Sequence, residues 1–338
     1  MCPEVSPEVS VVMPFFNARP TILHAVRSIL RQTLENIELI AVDDGSDDGS
    51  RELVETLSES DPRIRIIGVE RGGIVKALNA GIAQARGSLI ARMDADDISH
   101  PKRLELQAAF MLEHPDIALT GTGIRKFPRR HIMGGMAHYE QWINSVVSET
   151  EIRRDLFVES PFPHPTVMFR REAARSLGGY RDLGWPEDYD LWLRFAEAGF
   201  GMAKLPQQLV AWREGEKRLS RRDGMYSAEA FRRVKAHFLR TWRLKSAREL
   251  QIWGAGRDGK TWAKLLRAEG FNIVQFIDID SKKIGGRACG DIPVVWPADI
   301  IKGMPIVCAV GVKGARAQIR DYLLLDGYAE PEEFLFVS

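Results

Sequence analysis

Between residues 9 and 93 the chain alternates short apolar runs with amphipathic stretches, and this alternation restricts the fold more than any other feature. Residues 9–13, Val-Ser-Val-Val-Met, read as a buried strand ending at Pro14, and residues 21–32 place Ile22, Val26, Ile29 and Leu30 on one helical face. Residues 37–42, 64–69 and 89–93 repeat the strand pattern, with helices predicted over 51–58 and 73–86. Strands alternating with helices imply an α/β fold, a mostly parallel sheet with helices on both faces. Sheets of this kind bind ligands in the loops at the carboxyl ends of their strands. The acidic residues of this region lie in those loops.

At 338 residues the chain exceeds the size at which a single core usually keeps growing, so two domains are expected. The pattern loses regularity after Arg125, with a helix predicted over 139–147 and a strand over 166–169, and a basic stretch precedes a fresh strand at Glu249. The expected division is a catalytic domain over 1–245 and a smaller Rossmann-like α/β domain over 246–338. The second part opens with Gly254-Ala255-Gly256-Arg257-Asp258-Gly259, a Gly-x-Gly-x-x-Gly loop, and reaches Asp278 at the next strand end. The loop fits dinucleotide binding in form, but nothing near it suggests redox chemistry, and a structural role is the preferred reading.

Lys plus Arg number 47 against 46 for Asp plus Glu, so no global field draws the chain to nucleic acid or membrane. Cys2, Cys289 and Cys308 have neither disulfide nor metal-ligand spacing and read as reduced thiols. The N-terminus lacks a basic stretch followed by an apolar run, and no apolar segment is long enough to span a bilayer. A cytoplasmic protein without membrane partners is expected.

Asp94-Ala95-Asp96-Asp97 at the end of an apolar strand offers only oxygen ligands, which suit Mg²⁺ or Mn²⁺ completed by a diphosphate. Asp43-Asp44-Gly45-Ser46 ends the second strand, where a carboxylate can accept a hydrogen bond from a base or ribose; the same residues also fit a helix cap. Trp185-Pro186-Glu187-Asp188 places Glu187 and Asp188 in the acidic first turn of a helix, as a cap would.

Together, Val-Ser-Val-Val-Met-Pro-Phe-Phe-Asn, Val-Asp-Asp-Gly-Ser, Asp-Ala-Asp-Asp, His-Pro-Thr-Val-Met-Phe-Arg-Arg and Pro-Glu-Asp-Tyr-Asp-Leu-Trp-Leu-Arg resemble glycosyltransferase family 2 over about residues 8–215. The resemblance implies a GT-A fold, an inverting mechanism and a nucleotide-sugar donor, a UDP-sugar by preference. It places Pro14, Phe16, Asn17 and Asp44 around the nucleotide, Asp94 near the ribose, Asp96 on the metal and Asp188 as base. His164, between two prolines, fits either a diphosphate or acceptor contact or a rigid structural turn. Family members often carry Tyr-Arg-x-His after the base helix. This chain reads Ala211-Trp212-Arg213-Glu214, keeping Arg213 but no His.

Tyr139-x-x-Trp142-Ile143-Asn144, Pro186-Glu187-Asp188, the Gly254–Gly259 loop and Ile277-Asp278-Ile279-Asp280 also resemble queuosine-tRNA galactosyltransferases, which implies a queuosine-modified tRNA acceptor. Arg125, Lys126, Arg129, Arg130, Arg213, Lys217, Arg218, Arg221, Arg222, Arg232, Arg233 and Lys235 concentrate positive charge locally. They fit either a phosphate-binding patch or solvated surfaces paired with Glu214, Glu216, Asp223 and Glu229.

Overall fold

The computed structural model describes residues 6–215, 223–312 and 314–338. The chain divides into two compact units. The first comprises Met1–Ile152, Pro161–Leu183 and Glu187–Arg221; the second comprises Arg153–Ser160, Gly184–Pro186 and Arg222–Ser338.

In the first unit the order is β1 (Val9–Phe15), α1 (Ile22–Leu30), β2 (Ile37–Asp43), α2 (Ser50–Ser58), β3 (Ile64–Gly68), α3 (Gly73–Gln84), β4 (Leu89–Arg92), β5 (Ile98–Ser99), α4 (Arg103–Glu113) and β6 (Ile117–Phe127). There follow α5 (Gly135–Ser145), α6 (Glu149–Asp155, running into the second unit), β7 (Met168–Arg170), α7 (Arg171–Ser176), α8 (Glu187–Glu197) and β8 (Gly201–Arg213). The eight strands form one sheet in the order β3-β2-β1-β4-β7-β6-β8-β5. The first half is parallel, while β7 pairs antiparallel with β4 and β6, and β5 pairs antiparallel with β8.

β1 is buried on both faces between β2 and β4, which is why its sequence is apolar apart from Ser10 rather than alternating, and the Ser10 hydroxyl donates to Glu38 at 2.6 Å. One face packs against Ile22, Ala25, Val26 and Ile29 of α1, all fully buried. The chain steps outward from β1 to β2 and β3, then returns to β4 on the other side of β1. The strand order therefore reverses between β1 and β4, and their carboxyl ends, Phe15 and Arg92, open onto the crevice such a reversal creates.

The two long strands β6 and β8 were not apparent in the sequence. β8 runs through Pro206, Gln207 and Gln208, which blur its apolar pattern, and its register against β6 shifts between Thr122 and Ile124. The predicted strand over 166–169 begins instead as a one-turn 3₁₀ segment, His164–Thr166, ahead of β7, as expected of a run with Pro163 and Pro165.

The second unit contains α9 (Ala228–Phe238), β9 (Glu249–Trp253), α10 (Arg257–Ala268), β10 (Asn272–Ile277), β11 (Arg287–Ala288), β12 (Ile292–Val295), β13 (Ile306–Cys308), α11 (Ala315–Leu325) and β14 (Phe334–Phe336). Its sheet has the order β11-β12-β10-β9-β13-β14 and is parallel except for β11. α9 belongs here, whereas the sequence placed the break near Ser246. Its Lys235 is buried and donates to the carbonyls of Val158, at 2.7 Å, and Val337, both in this unit.

In the Gly-x-Gly-x-x-Gly loop, the Asp278 carboxylate accepts from Ala255 N–H at 2.8 Å and from Lys283 Nζ at 3.0 Å, so it braces the loop from within. Gly259 lies where a Cβ would fall 1.7 Å from the Gly254 carbonyl oxygen, a clash with backbone that no rotamer relieves. Around Gly256 a Cβ would meet nothing. Gly259→Ala is therefore expected to destabilise the protein by about 2–4 kcal/mol and Gly256→Ala by less than about 1 kcal/mol, as read by thermal or urea unfolding.

Candidate active site

On one side of the β1/β4 crevice, the β2 carboxyl end turns at Asp44-Gly45-Ser46, with Gly45 at φ +77°. The buried Asp44 carboxylate accepts from the N–H groups of Gly72, at 2.8 Å, and Gly73, at 3.0 Å, tying the β2 loop to the start of α3. Asp43 accepts from Ser46 N–H at 2.9 Å. The chain leaving β1 lies alongside: Pro14 pairs with Val42, Phe16 sits 3.7 Å beneath the Arg71 guanidinium, and Asn17 exchanges hydrogen bonds with Asp47 at 2.8 and 3.0 Å. Pro14, Phe16, Asn17 and Asp44 thus gather in one nook. Arg71 adds a cation above an aromatic face, a contact the sequence did not signal because it comes from the loop after β3.

Beyond β4, carboxylate oxygens of Asp94, Asp96 and Asp97 lie within 4.8 Å of one another, the one such cluster among the described residues able to hold a metal. Three oxygen donors at this spacing fit a hard divalent cation. Asp94 forms an ion pair with Arg92, which is only 2% exposed. Asp97, equally buried, accepts from Arg213 N–H at 2.6 Å. Arg213 Nε donates to the Asp96 carbonyl, also at 2.6 Å, and its guanidinium lies 4.5 Å from the Phe127 ring centroid. Arg213 therefore braces the acidic loop itself.

Arg103, fully buried at the start of α4, donates to the Arg92 carbonyl at 3.1 Å and to that of Pro165. Burial, with the neighbouring Arg92 charge, pulls its pKa down to about 9, so it stays charged at neutral pH.

α8 carries Glu187 and Asp188 in its first turn. Its placement is fixed by Asp190, a fully buried carboxylate that accepts from Arg181 at 2.6 and 3.0 Å and from Arg194 at 2.8 Å. Asp188 is half-buried and accepts from Tyr189 N–H at 2.7 Å. Burial pushes the Asp188 carboxyl up to about 6; the Tyr189 N–H and Arg92 oppose the rise and Asp94 adds to it. That mutual influence brings Asp188 and the acidic loop into one electrostatic site.

His164 is buried, with Nε2 sharing a 2.8 Å hydrogen bond with the Tyr180 hydroxyl and Nδ1 3.5 Å from Glu187. Both ring nitrogens face protein groups, which fits the rigid-turn reading rather than a diphosphate contact. Glu187, 1% exposed, is turned to the same imidazole. Tyr180 is pinned in turn by reciprocal 2.9 Å hydrogen bonds between its backbone and Asn79.

Residues 10–178, half of the chain, match the profile of Glycosyl transferase family 2. The chain belongs to glycosyltransferase family 2. This glycosyltransferase is 32% identical over 219 residues to the amylovoran biosynthesis glycosyltransferase AmsE of Erwinia amylovora, spanning 64% of this chain and 79% of that one. It is 35% identical over 189 residues to the O-antigen biosynthesis glycosyltransferase WbnJ of Escherichia coli, spanning 55% and 70%. Among solved structures, S. aureus TarS 1–349 in complex with UDP-GlcNAc superposes with a TM-score of 0.55 at 19% identity, covering 77% of this chain and 71% of that one. Against the longer TarS chain the match spans 40% of its length. These likenesses establish the GT-A fold.

Several cations of the expected phosphate-binding patch are engaged within the glycosyltransferase. Lys126 is buried against Glu214 at 3.3 Å, Arg129 holds Glu140 through two contacts below 3 Å, Arg232 faces Asp258 at 3.7 Å, and Lys235 is buried as described. Arg125, Arg130 and Arg233 are exposed. Lys217, Arg218, Arg221 and Arg222 lie outside the described residues. No helix among the described residues is long and apolar enough to cross a membrane.

Burial, together with the Arg92 charge, holds the His164 pKa well below 6.5. The unfolded chain then takes up a proton that the folded one does not, so stability present above pH 6.5 is lost as pH falls below it. His164 is expected to contribute up to about 1.4 kcal/mol per pH unit to that loss. Urea unfolding at pH 5, 6 and 7 should be flatter by this amount in His164→Gln, and the imidazole proton shifts of the wild type should not titrate over this range.

Proposed function

We propose that this glycosyltransferase moves a sugar from a UDP-sugar to a hydroxyl of a saccharide acceptor with inversion, and that Asp188 is the general base. The reading is carried by the placement of Asp188, which opens α8 half-buried and close enough to Asp94 of the acidic loop for burial and that charge to raise its carboxyl to about 6. It describes a carboxylate that is ionised at neutral pH yet basic enough to accept a proton during attack.

Asp44, Pro14, Phe16, Asn17 and Arg71 hold the nucleotide: Phe16 offers an apolar face, and the Asp44 carboxylate is already oriented by two N–H groups. Asp96, with Asp94, would hold Mg²⁺ or Mn²⁺, which when bound supplies positive charge to the diphosphate. Arg213 and Arg103 hold the acidic loop in place for that task. Asp188 takes the acceptor hydroxyl proton as the hydroxyl oxygen attacks the anomeric carbon from the face opposite the diphosphate. The bond from that carbon to the diphosphate oxygen breaks, and UDP leaves with the electron pair.

A UDP donor is supported by the UDP-GlcNAc complex of TarS, and a saccharide acceptor by relatives named for amylovoran and O-antigen biosynthesis. No relative named above supports a queuosine-modified tRNA acceptor, and Lys126, Arg129, Arg232 and Lys235 make ion pairs or hydrogen bonds within the protein.

Asp96→Asn is expected to weaken metal-dependent UDP binding by about tenfold or more, whereas Asp188→Asn leaves UDP binding intact and abolishes transfer. Calorimetry with UDP and Mn²⁺ checks the first, and UDP release from UDP-sugars the second. Asp188→Asn losing UDP affinity as badly as Asp96→Asn contradicts the base assignment. In the wild type kcat/KM should rise with pH through about 6 as Asp188 ionises, and fall about tenfold from its plateau on moving to pH 5.

A further inference from the structure

Helix α5 carries two stripes of different chemistry. Tyr139, Trp142 and Ile143, at i, i+3 and i+4, pack with Ile124, Val210 and Trp212 of β6 and β8. Ala137, Glu140, Gln141 and Asn144, at i, i+3, i+4 and i+7, instead line an open cleft of about 250 Å³ together with Arg129, just past the end of β6, and Gln208 of β8. All six of these lining residues lie in the first unit. The surrounding backbone shapes the cleft. The Asn144 amide accepts from the Ile124 N–H and donates to the Ile124 carbonyl, both at 2.8 Å, so it stands in for a strand where the β6–β8 register shifts. At Gly123 a Cβ would fall 3.1 Å from the Gln207 carbonyl oxygen and 3.2 Å from Asn144 Oδ1, closer than a side chain readily allows. On the β8 side the same irregularity leaves Pro206, Gln207 and Gln208 exposed in succession.

The lining chemistry singles out a class of ligand. The buried Glu140 accepts from Arg129 Nη1 on both carboxylate oxygens, at 2.8 and 2.9 Å, which offsets the Arg129 charge and leaves its Nε and Nη2 unused. Among the described residues, those two nitrogens and the carboxamides of Gln141 and Gln208 make no hydrogen bond. The cleft thus has no net charge to attract an anion, and Ala137 is the one apolar side chain in its lining. What it offers is donors and acceptors side by side, and hydroxyl groups, each both donor and acceptor, match that set. The cleft also adjoins the reaction. Phe127, two residues before Arg129, lies 4.5 Å from the Arg213 guanidinium, whose Nε donates to the Asp96 carbonyl. Gln208, five residues before Arg213 on β8, lies about 16 Å farther along the strand.

We propose that this cleft is a saccharide subsite, which holds a neutral sugar unit of the acceptor remote from the hydroxyl that reacts. The proposal rests on the saccharide-acceptor reading above and deepens it: the acceptor is a chain of more than one sugar unit, and Arg129, Gln141 and Gln208 contribute to its selection. Contacts to a remote unit are made before the reacting bond changes, so they act on acceptor KM and on the choice among acceptors that share a reacting end.

The test incubates the full chain, with UDP and Mg²⁺, on a printed array of neutral and acidic oligosaccharides running from monosaccharides to longer chains. The wild type should bind neutral glycans of more than one unit. Hydrogen–deuterium exchange with the best-bound glycan should slow in peptides covering 129–144 and 204–210 and stay unchanged over 51–58. The double variant Gln141→Ala/Gln208→Ala should lose glycan binding by about tenfold or more and raise the KM for that glycan by a similar factor, with UDP affinity kept within about twofold. Gln207→Ala, an exposed neighbour outside the lining, should match the wild type. A double variant that binds the same glycans as tightly as the wild type overturns the subsite and leaves the saccharide acceptor standing. So does glycan protection that spares 129–144 and 204–210, or a preference for acidic glycans. A wild type that binds no glycan on the array overturns the saccharide-acceptor reading, and the subsite with it.

Discussion

Arg92 is a guanidinium almost wholly shut off from water at the end of the central strand β4. Burial works against its charge; Asp94 first, then Tyr180 and Glu187, more than offset it, and it remains a cation. Removing one member of a buried ion pair costs on the order of 3–5 kcal/mol, so this charge and the carboxylate beside it are mutually obligatory. The same charge opposes the burial that raises the Asp188 carboxyl and adds to the burial that lowers the His164 imidazole. One buried cation thus pairs with Asp94, acts on Asp188 and, after burial, helps keep the neighbouring imidazole neutral.

The site divides by origin. The nucleotide nook and the acidic loop are consequences of strand order, because the reversal between β1 and β4 leaves a crevice that residues 14–17, 44 and 94–97 must line. The other half, His164, Tyr180, Glu187 and Asp188, comes from the short turns and helix starts between β6 and β8. There, backbone hydrogen bonding alone cannot set positions, and side chains do so: Arg103 clasps the carbonyls on either side, Asp190 anchors α8 between two arginines, and Asn79 pins Tyr180.

Much of this was legible in the sequence, for a physical reason. Residues 9–93 consist of local units whose periodicity is set by their own burial, and β1, β2, β3, α3 and β4 fall within a few residues of their expected limits. The acidic residues at the ends of β2 and β4 were legible because those strand ends could be read from the apolar runs before them. What was missed depends on pairing between distant residues. β8 is hidden by Pro206 and two glutamines and exists because β6 offers it a partner. Arg92 and Arg103 read as ordinary charged residues until burial is known, and Arg71 joins Phe16 only through the β2–β3 crossover. The basic residues stayed ambiguous for the same reason: a count of cations does not distinguish Lys235, capped by two carbonyls, from the exposed Arg233.

The central claim is a single displacement in which Asp188 deprotonates the incoming hydroxyl opposite the diphosphate. It is tested most directly by the configuration of the first-formed product. With an α-linked UDP-sugar, Mg²⁺ and enough enzyme for hydrolysis to outpace mutarotation, real-time proton NMR reports the anomer released first. The account predicts the β anomer first, absent in Asp188→Asn. Release of the α anomer would mean retention, and would contradict a mechanism with Asp188 as the base of a single inverting step.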